Sequence, residues 1–485
     1  MKIKNGQDYL RSLRKINPVV YYKGKKIKDV TRHPATAPHA RAAAMTYALV
    51  NDPEYQDLAT AVSHLTGKTI SRFTHVHQGM EDLIKKVKLL RVLGQKTGSC
   101  FQRCVGLDGI NAVYSVAYEI DQKYGTDYFE RFKKWLTYIQ EENLMVVGAM
   151  TDPKGDRSKG PAEQSDPDQY VHVVERREDG LVIRGAKLHM TGGVNSHEIL
   201  IMPTTAMDPT AKDYALVCAV PVNTPGVTMI FGRQANDNRK DNKERIDAGN
   251  PVFGGVGGEA VIAFENVFVP WERVFMNGET EFTGNLVYRF AAHHRANYGG
   301  CKTGLIDVLT GAVTYLAQIQ GTAKASHVRD KVTEMIHLGE TLYSSAIACA
   351  AEGWPTPSGA YMVDTMLANV GKHNATRFHF EVARLASDLA GGFLATLPSE
   401  YDLKSEDVGH LVKKYFSGVA NFPTEDRIKI GRLIESMTGG TALVESMHGA
   451  GSPQAQRVMI FREGDLNKKV KLAKALAGIP PTRVK

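Results

Sequence analysis

Gly98-Ser99-Cys100-Phe101-Gln102-Arg103-Cys104 is one of two short stretches that decide how this chain is read. The other is Phe290-Ala291-Ala292-His293-His294-Arg295-Ala296-Asn297-Tyr298-Gly299-Gly300-Cys301-Lys302. The chain has five cysteines, and three of them fall in these two stretches. Three thiolates and an imidazole make a four-ligand set for zinc or for an iron–sulfur cluster. A cysteine on its own more often only packs, and Cys218 and Cys349, in apolar segments, read that way. On a helical turn the i, i+4 spacing of Cys100 and Cys104 puts both sulfurs on one face. Residues seven apart also share a helical face, so His294 and Cys301 can point together with Tyr298 between them. Spacing chooses neither between His293 and His294 nor between zinc and iron–sulfur. Gly299-Gly300 suits the approach of a bulky group and suits a close helix crossing equally well.

Outward from the first stretch the pattern is helical. Leu83, Ile84, Val87, Leu90 and Leu93 recur at helical spacing up to Gly94, and Leu107, Ile110, Val113, Ala117 and Ile120 do so before Gly125. The texture changes near Met150. Short β-branched runs follow at 170–175, 181–184, 215–220, 227–231 and 260–264, with Glu178-Asp179-Gly180 as a hairpin signal. They predict a small antiparallel sheet or barrel, with the polar segment 233–250 as a surface excursion. From about Thr283 the helical period returns, with stripes at Leu305, Val308, Leu309, Val313, Leu316 and at Val328, Val332, Met335, Ile336, Leu342. The expected α+β organisation is a helical domain at 1–147, a β domain at 148–282 and a helical bundle at 283–485.

Bulk properties narrow the function. At 485 residues, 43% hydrophobic and 23% charged, the composition is that of a globular protein. No run reaches the length of a membrane span, and the opening residues lack the apolar core of a signal peptide. Sparse cysteines without scaffold spacing predict a reducing cytoplasm. The net charge of +8 is spread along the chain, without the basic stripe and interleaved aromatics that nucleic acid demands. It suits a polyanionic small substrate, and suits a merely solvated basic surface better. No dinucleotide fingerprint, phosphate-binding P-loop, nucleophile elbow or solenoid repeat is present.

Three further segments carry chemical groups. Thr151, Asp152, Lys154, Asp156 and Arg157, with Thr191 in the run 187–193, offer hydroxyls, amides and cations that could hold a flavin. Gly391 and Gly392 read as a helix C-cap. Glu445-Ser446-Met447-His448-Gly449 places a carboxylate, a hydroxyl and an imidazole in what reads as a glycine-rich loop, suited to acid–base work.

Four segments then resemble one family. K-T-G-S-C-F-Q-R-C at 96–104, M-T-D-P-K-G-D-R at 150–157, H-R-A-N-Y-G-G-C-K at 294–302 and E-S-M-H-G-A-G-S-P-Q-A-Q-R at 445–457 are similar to the 4-hydroxybutyryl-CoA dehydratase family, over nearly the whole chain. The resemblance implies an acyl-CoA dehydrogenase-like fold, to which F-E-N-V-F-V-P at 264–270 is also similar. It implies a homotetramer with FAD and a 4Fe–4S cluster held by Cys100, Cys104, His294 and Cys301. His294, Glu445, Tyr298, Lys302, Glu259 and Gln102 match active-site positions of that family. Thr191 matches a residue near its flavin, and Gly391, Gly392 and the 151–157 run are its candidate FAD contacts. The implied reaction is reversible dehydration of a CoA thioester, 4-hydroxybutyryl-CoA, to crotonyl-CoA through a flavin-mediated ketyl radical, with vinylacetyl-CoA isomerisation alongside. An isomerase-only member, a flavin-dependent 4-hydroxyphenylacetate-type monooxygenase and a zinc-stabilised binding protein are the rival expectations.

Overall fold

The structure, a computed structural model, describes residues 1–234 and 245–480. Among the helices of the first 145 residues, α1 (Met80–Thr97) and α2 (Cys104–Tyr124) flank the first cysteine stretch, and two main sheets and a group of longer helices complete the fold. α1 does not stop at Gly94. It runs one turn further and ends on Gly98, whose left-handed φ of 55° closes the C-terminus. α2 ends on Gly125 as its pattern predicts.

The larger sheet has the strand order Lys25–Lys26, Val20–Tyr22, Val227–Phe231, Glu259–Pro270, Gly180–Thr191, His172–Arg176. The smaller has Val274–Asn277, Leu216–Pro221, Glu198–Ile201, Val146–Ala149. The expected hairpin is present, with Arg176 opposite Leu181. The purely antiparallel expectation is corrected in two places. Val20–Tyr22 joins the larger sheet parallel to Val227–Phe231, and Val146–Ala149 lies parallel to Glu198–Ile201. Both additions come from before residue 150, and short local patterns do not reveal pairing across such separations. Of the expected surface excursion, 235–244 lies outside the described residues, while Ile246 and Asp247 are buried.

From residue 280 the chain forms α3 (Thr280–Ala296), α4 (Tyr298–Ile319), α5 (Ser326–Ala351), α6 (Thr365–Ala390), α7 (Thr424–Met437) and the short α8 (Thr441–His448). α4, α5 and α6 pack on one another, and α7 lies against α4 and α6. Leu305, Leu309 and Leu316 on the inner stripe of α4 are at most 3% exposed; burying each such side chain contributes about 1.5–3 kcal/mol. Ile336, expected on the α5 stripe, is exposed instead.

α1 crosses α4 at a glycine seam. A Cβ on Gly94 would lie 2.7 Å from the Cys301 carbonyl oxygen, and one on Gly304 would lie 2.3 Å from that of Arg91. Gly300 meets α1 in the same way, at the Val87 carbonyl, while Gly299 faces α5 at Ala346 and Leu342. Of the two readings of Gly299-Gly300, the close crossing is the one this geometry fulfils. The seam also sets the start of α4, and so Cys301, against the end of α1.

Gly304→Ala should therefore lower stability by about 1–3 kcal/mol, because backbone must move. Gly311→Ala lies in the same helix with open space around it, and should raise stability by about 0.5–1 kcal/mol through helix propensity. Denaturant unfolding of the two variants checks the contrast.

Candidate active site

The first stretch is a loop leading into α2. Cys104 is the first helical residue and Cys100 lies before the helix, so the two sulfurs do not share a helical turn as the spacing suggested. Gln102 adopts a left-handed φ of 62°, which breaks the turn. Side chains of the loop fix it from two sides. Ser99 Oγ donates to the Gly255 carbonyl at 3.0 Å, and Gln102 Nε2 to that of Gly257 at 2.6 Å. Gln102 Oε1 accepts from Asn195 Nδ2 at 2.7 Å. Arg103 is buried, stacks on Tyr47 at 3.9 Å and donates to Asn143 Oδ1 at 2.8 Å. The run Gly254–Gly258 is thus part of the site. A Cβ on Gly258, at φ 96°, would sit 2.1 Å from Gln102 Nε2.

The second stretch is two helices rather than one. α3 ends at Ala296 and α4 begins at Tyr298, with Asn297 between them. His294 Nδ1 lies 2.8 Å from Asp108 Oδ2, which also accepts from Asn297 Nδ2 at 2.6 Å, while Asp108 Oδ1 accepts from Lys86 Nζ at 2.8 Å. Burial pushes the Asp108 carboxyl up, but Lys86 and His294 outweigh this and hold it below its ordinary range. An ionised Asp108 keeps the proton on Nδ1 and leaves Nε2 of His294 to face a metal or a substrate. Asp108 stands four residues after Cys104, on the same face of α2. Its sequence signal was a carboxylate inside an apolar helical run, and it was missed, as were Lys86 and Asn297. His293 is turned elsewhere, with its ring 5.8 Å from that of His77.

Lys302 on α4 forms a short ion pair with Glu445. Glu445 belongs to α8, not to a loop, because the glycine-rich turn starts only at Gly449. Lys302 and Tyr298 are both 2% exposed. Burial pulls the Lys302 ammonium down, and Glu445 and Cys301 overcome this and raise it. Tyr298 donates through its hydroxyl to the Glu445 carbonyl at 3.3 Å. Burial, and then the Glu445 charge, lift the Tyr298 phenol well above its ordinary range.

Cys100, Cys104 and Cys301 lie within electrostatic reach of one another and of Glu445. Burial pushes all three thiols up, Cys301 to about 12. Among the described residues no group of three or more His, Cys, Asp or Glu side chains is drawn into a metal-holding arrangement. The donor chemistry nevertheless fits. One buried and two half-buried thiols lie within electrostatic reach of the Tyr298 phenol, and the adjacent imidazole is oriented by Asp108. A bound cation would reverse the upward push on the thiols.

The sheet supplies the opposite wall. Glu259 and Thr191 are cross-strand partners, and Thr191 Oγ1 donates to Glu259 Oε1 at 3.4 Å. Burial, and then Glu445, raise the Glu259 carboxyl to about 7. An irregularity in the same ladder puts His189 at φ 59°, and Leu188 N–H donates to the Thr151 carbonyl at 2.8 Å. His189 feels both Lys154 and His448, so the 151–157 loop, the sheet edge and α8 adjoin one space. The Asp152 carboxylate is taken up by Lys187 Nζ at 2.8 Å and Val171 N–H at 3.0 Å. Lys154 is half-buried, with Thr204 3.5 Å away. Asp156 and Arg157 stand on an exposed turn, where Asp156 accepts from Ser158. Gly391 caps α6 as expected, exposed alongside Gly392.

Comparison with known proteins first defines a class. Residues 5–276 match the family 4-hydroxyphenylacetate 3-hydroxylase N terminal, and residues 283–478 match 4-hydroxyphenylacetate 3-hydroxylase C terminal. The oxygenase component of 4-hydroxyphenylacetate 3-monooxygenase complexed with FAD shares this fold, with a TM-score of 0.82 at 23% identity over 97% of this chain and 98% of that one. Within the class, this chain is 52% identical to the 4-hydroxybutyryl-CoA dehydratase/vinylacetyl-CoA-Delta-isomerase of Clostridium aminobutyricum, over 98% of this chain and 100% of that protein. It is 48% identical to the archaeal, oxygen-tolerant 4-hydroxybutyryl-CoA dehydratase from N. maritimus, with a TM-score of 0.97 over 100% of this chain and 96% of that one. The chain belongs to the 4-hydroxybutyryl-CoA dehydratase/vinylacetyl-CoA-Delta-isomerase family.

The raised Glu259 carboxyl has a consequence for stability. Between the ordinary glutamate value of 4.5 and about 7, the folded state keeps a proton that the unfolded chain has released. Stability from this group therefore falls as pH rises through that window. Glu259→Gln should flatten this part of the profile, read as melting temperature against pH; an unchanged slope would count against the assignment.

Proposed function

We propose that this chain catalyses the reversible dehydration of 4-hydroxybutyryl-CoA to crotonyl-CoA and isomerises vinylacetyl-CoA to the same product. The observation that carries the reading is the ion pair of buried Lys302 with half-buried Glu445 beside Cys100, Cys104 and Cys301, in a chain half-identical to a dehydratase/isomerase along its length. Cys100, Cys104, Cys301 and His294 Nε2 are the donors that would hold a 4Fe–4S cluster. Thr151, Lys154 and Thr191 are the nearer candidates for FAD; Asp152, Asp156, Arg157, Gly391 and Gly392 complete the proposed set. Bound there, FAD supplies one-electron chemistry that acidifies the β C–H of the thioester, and the cluster supplies a Lewis-acidic iron.

The side chains manage protons. His294, oriented through Nδ1 by Asp108, would take the α proton at Nε2 only once that nitrogen is released from iron. Glu259, with its carboxyl near 7, is poised to accept the β hydrogen as a proton at neutral pH. The departing hydroxyl leaves as water, with the proton held between Lys302 Nζ and Glu445 Oε2. Of the two protons taken up by His294 and Glu259, one returns to the γ carbon as the crotonyl methyl group forms, while the other restores the Lys302–Glu445 proton. Tyr298 keeps its own proton and fixes the Glu445 backbone. Gln102, bonded at both ends of its amide, holds the cysteine loop against the sheet. Because Lys302 and Tyr298 are almost closed to water, the charges act at low local dielectric.

The organisation into 1–147, 148–282 and 283–485 and the assembly into homotetramers belong to the same proposal. Phe461 at 73% and Leu476 at 93% exposure leave apolar surface on the last helices, which suits contacts between copies. Among the described residues no helix is long and apolar enough to cross a membrane, and the free thiols suit a reducing cytoplasm.

Substitution separates the roles. Glu445→Gln should slow dehydration by about 10²-fold or more while iron and flavin contents stay at wild-type levels. Cys301→Ala should lose iron, acid-labile sulfide and dehydration together. Full dehydration by iron-free Cys301→Ala protein, assayed with each substrate separately under anaerobic conditions, would falsify the reading.

A further inference from the structure

We propose that Lys372 is a positioning residue that sets Glu445 against Lys302 by gripping the C-terminal end of α8. Lys372 sits on α6, and none of its surface is exposed. Its Nζ donates to the Ser446 carbonyl at 2.7 Å and to that of Met447 at 3.3 Å. These belong to the last turn of α8, whose carbonyls have no partner within the helix. A cation at that end also meets the negative pole of the helix. The same ammonium lies 4.4 Å from the centroid of the Tyr298 ring, and Lys302 lies 5.6 Å from it. One aromatic ring therefore lies within reach of both buried lysines, and its hydroxyl reaches the Glu445 carbonyl.

Other anchors make the grip specific to this segment. His379, also on α6, pairs through Nδ1 with Ser446 Oγ. Arg295 on α3 donates through Nε to the Ala450 carbonyl at 3.0 Å and is itself held by Asn369 Oδ1 at 2.6 Å. Residues 446–450 are thus fixed from two helices, immediately after the residue that carries the reacting carboxylate. Burial pulls the Lys372 ammonium down to about 7. A lysine amine kept there despite that cost, with two carbonyls and a ring face as partners, does more than fill space. Lys372 bonds to the backbone of α8 and not to the Glu445 carboxylate, so its influence on the reaction passes through that helix.

This inference rests on the dehydratase reading, and a double-mutant cycle on the anaerobic holoenzyme tests it. Lys372→Met should lower kcat by about tenfold or more, with KM changed less than about threefold. In a Glu445→Gln background the same substitution should change kcat by less than about twofold, because the group it positions is gone. Lys372→Arg, which keeps a buried donor cation, should recover most of the lost turnover. Equal losses in both backgrounds, or no loss in either, would overturn the proposal. If Lys372→Met does not fold, the cycle with Lys372→Gln decides by the same criteria. A wild type without dehydratase turnover refutes the reaction instead. The positioning claim is then decided by the crystal structure of Lys372→Gln: Glu445 displaced from Lys302 supports it, and an unmoved pair overturns it.

Discussion

An ammonium and a carboxylate, Lys302 and Glu445, face each other with the ammonium closed to water and the carboxylate largely so, and several helices of the bundle keep them there. Removing two ions from water costs several kcal/mol each, about as much as their attraction returns unless further partners are present. The surroundings provide those partners. Tyr298 offers its ring face to Lys302 and its hydroxyl to the Glu445 backbone, and Lys372 holds the end of the helix that carries Glu445. A second buried carboxylate, Asp108, follows the same rule, with donors from α1, from the end of α3 and from Asn297. Glu445 acts on all three thiols and Asp108 on that of Cys104, so two costly carboxylates adjoin the cysteine set.

Close approach of helices makes that gathering possible. With glycine on both sides of the α1–α4 crossing, the two axes come near enough for Cys301 to join the apolar cluster that contains Cys104. A methyl group in the seam would separate the two cysteine-bearing stretches before it altered any other group of the site. The paired glycines beside Cys301 therefore serve the site through packing.

Much of this was legible in the residues. The helix stripes around Leu90, Ile110 and Leu309 and the hairpin at Asp179-Gly180 follow from local periodicity and turn chemistry, which short windows contain. The two ligand stretches were legible because cysteines are rare here and clustered. Three kinds of feature were not. The parallel ladders of Val20–Tyr22 and Val146–Ala149 depend on pairing over long separations. Cys100 leaves the helix because Gln102 takes a left-handed turn to reach Gly257, which the i, i+4 spacing does not reveal. Gly449 and Gly451, so near to Glu445, suggest a loop there, whereas α8 ends just before them. Asp108, Lys86 and Lys372 looked like ordinary charges on helices. Their importance comes from which partners the fold brings to them.

The most direct test of the central claim, a cluster-bearing donor set beside a flavin, is the visible spectrum of protein purified without air, recorded before and after reduction and paired with iron analysis. The account predicts flavin bands above a broad iron–sulfur absorbance that bleaches on reduction, with about four iron atoms per chain. A colourless zinc protein, or flavin bands alone with no iron, would contradict it.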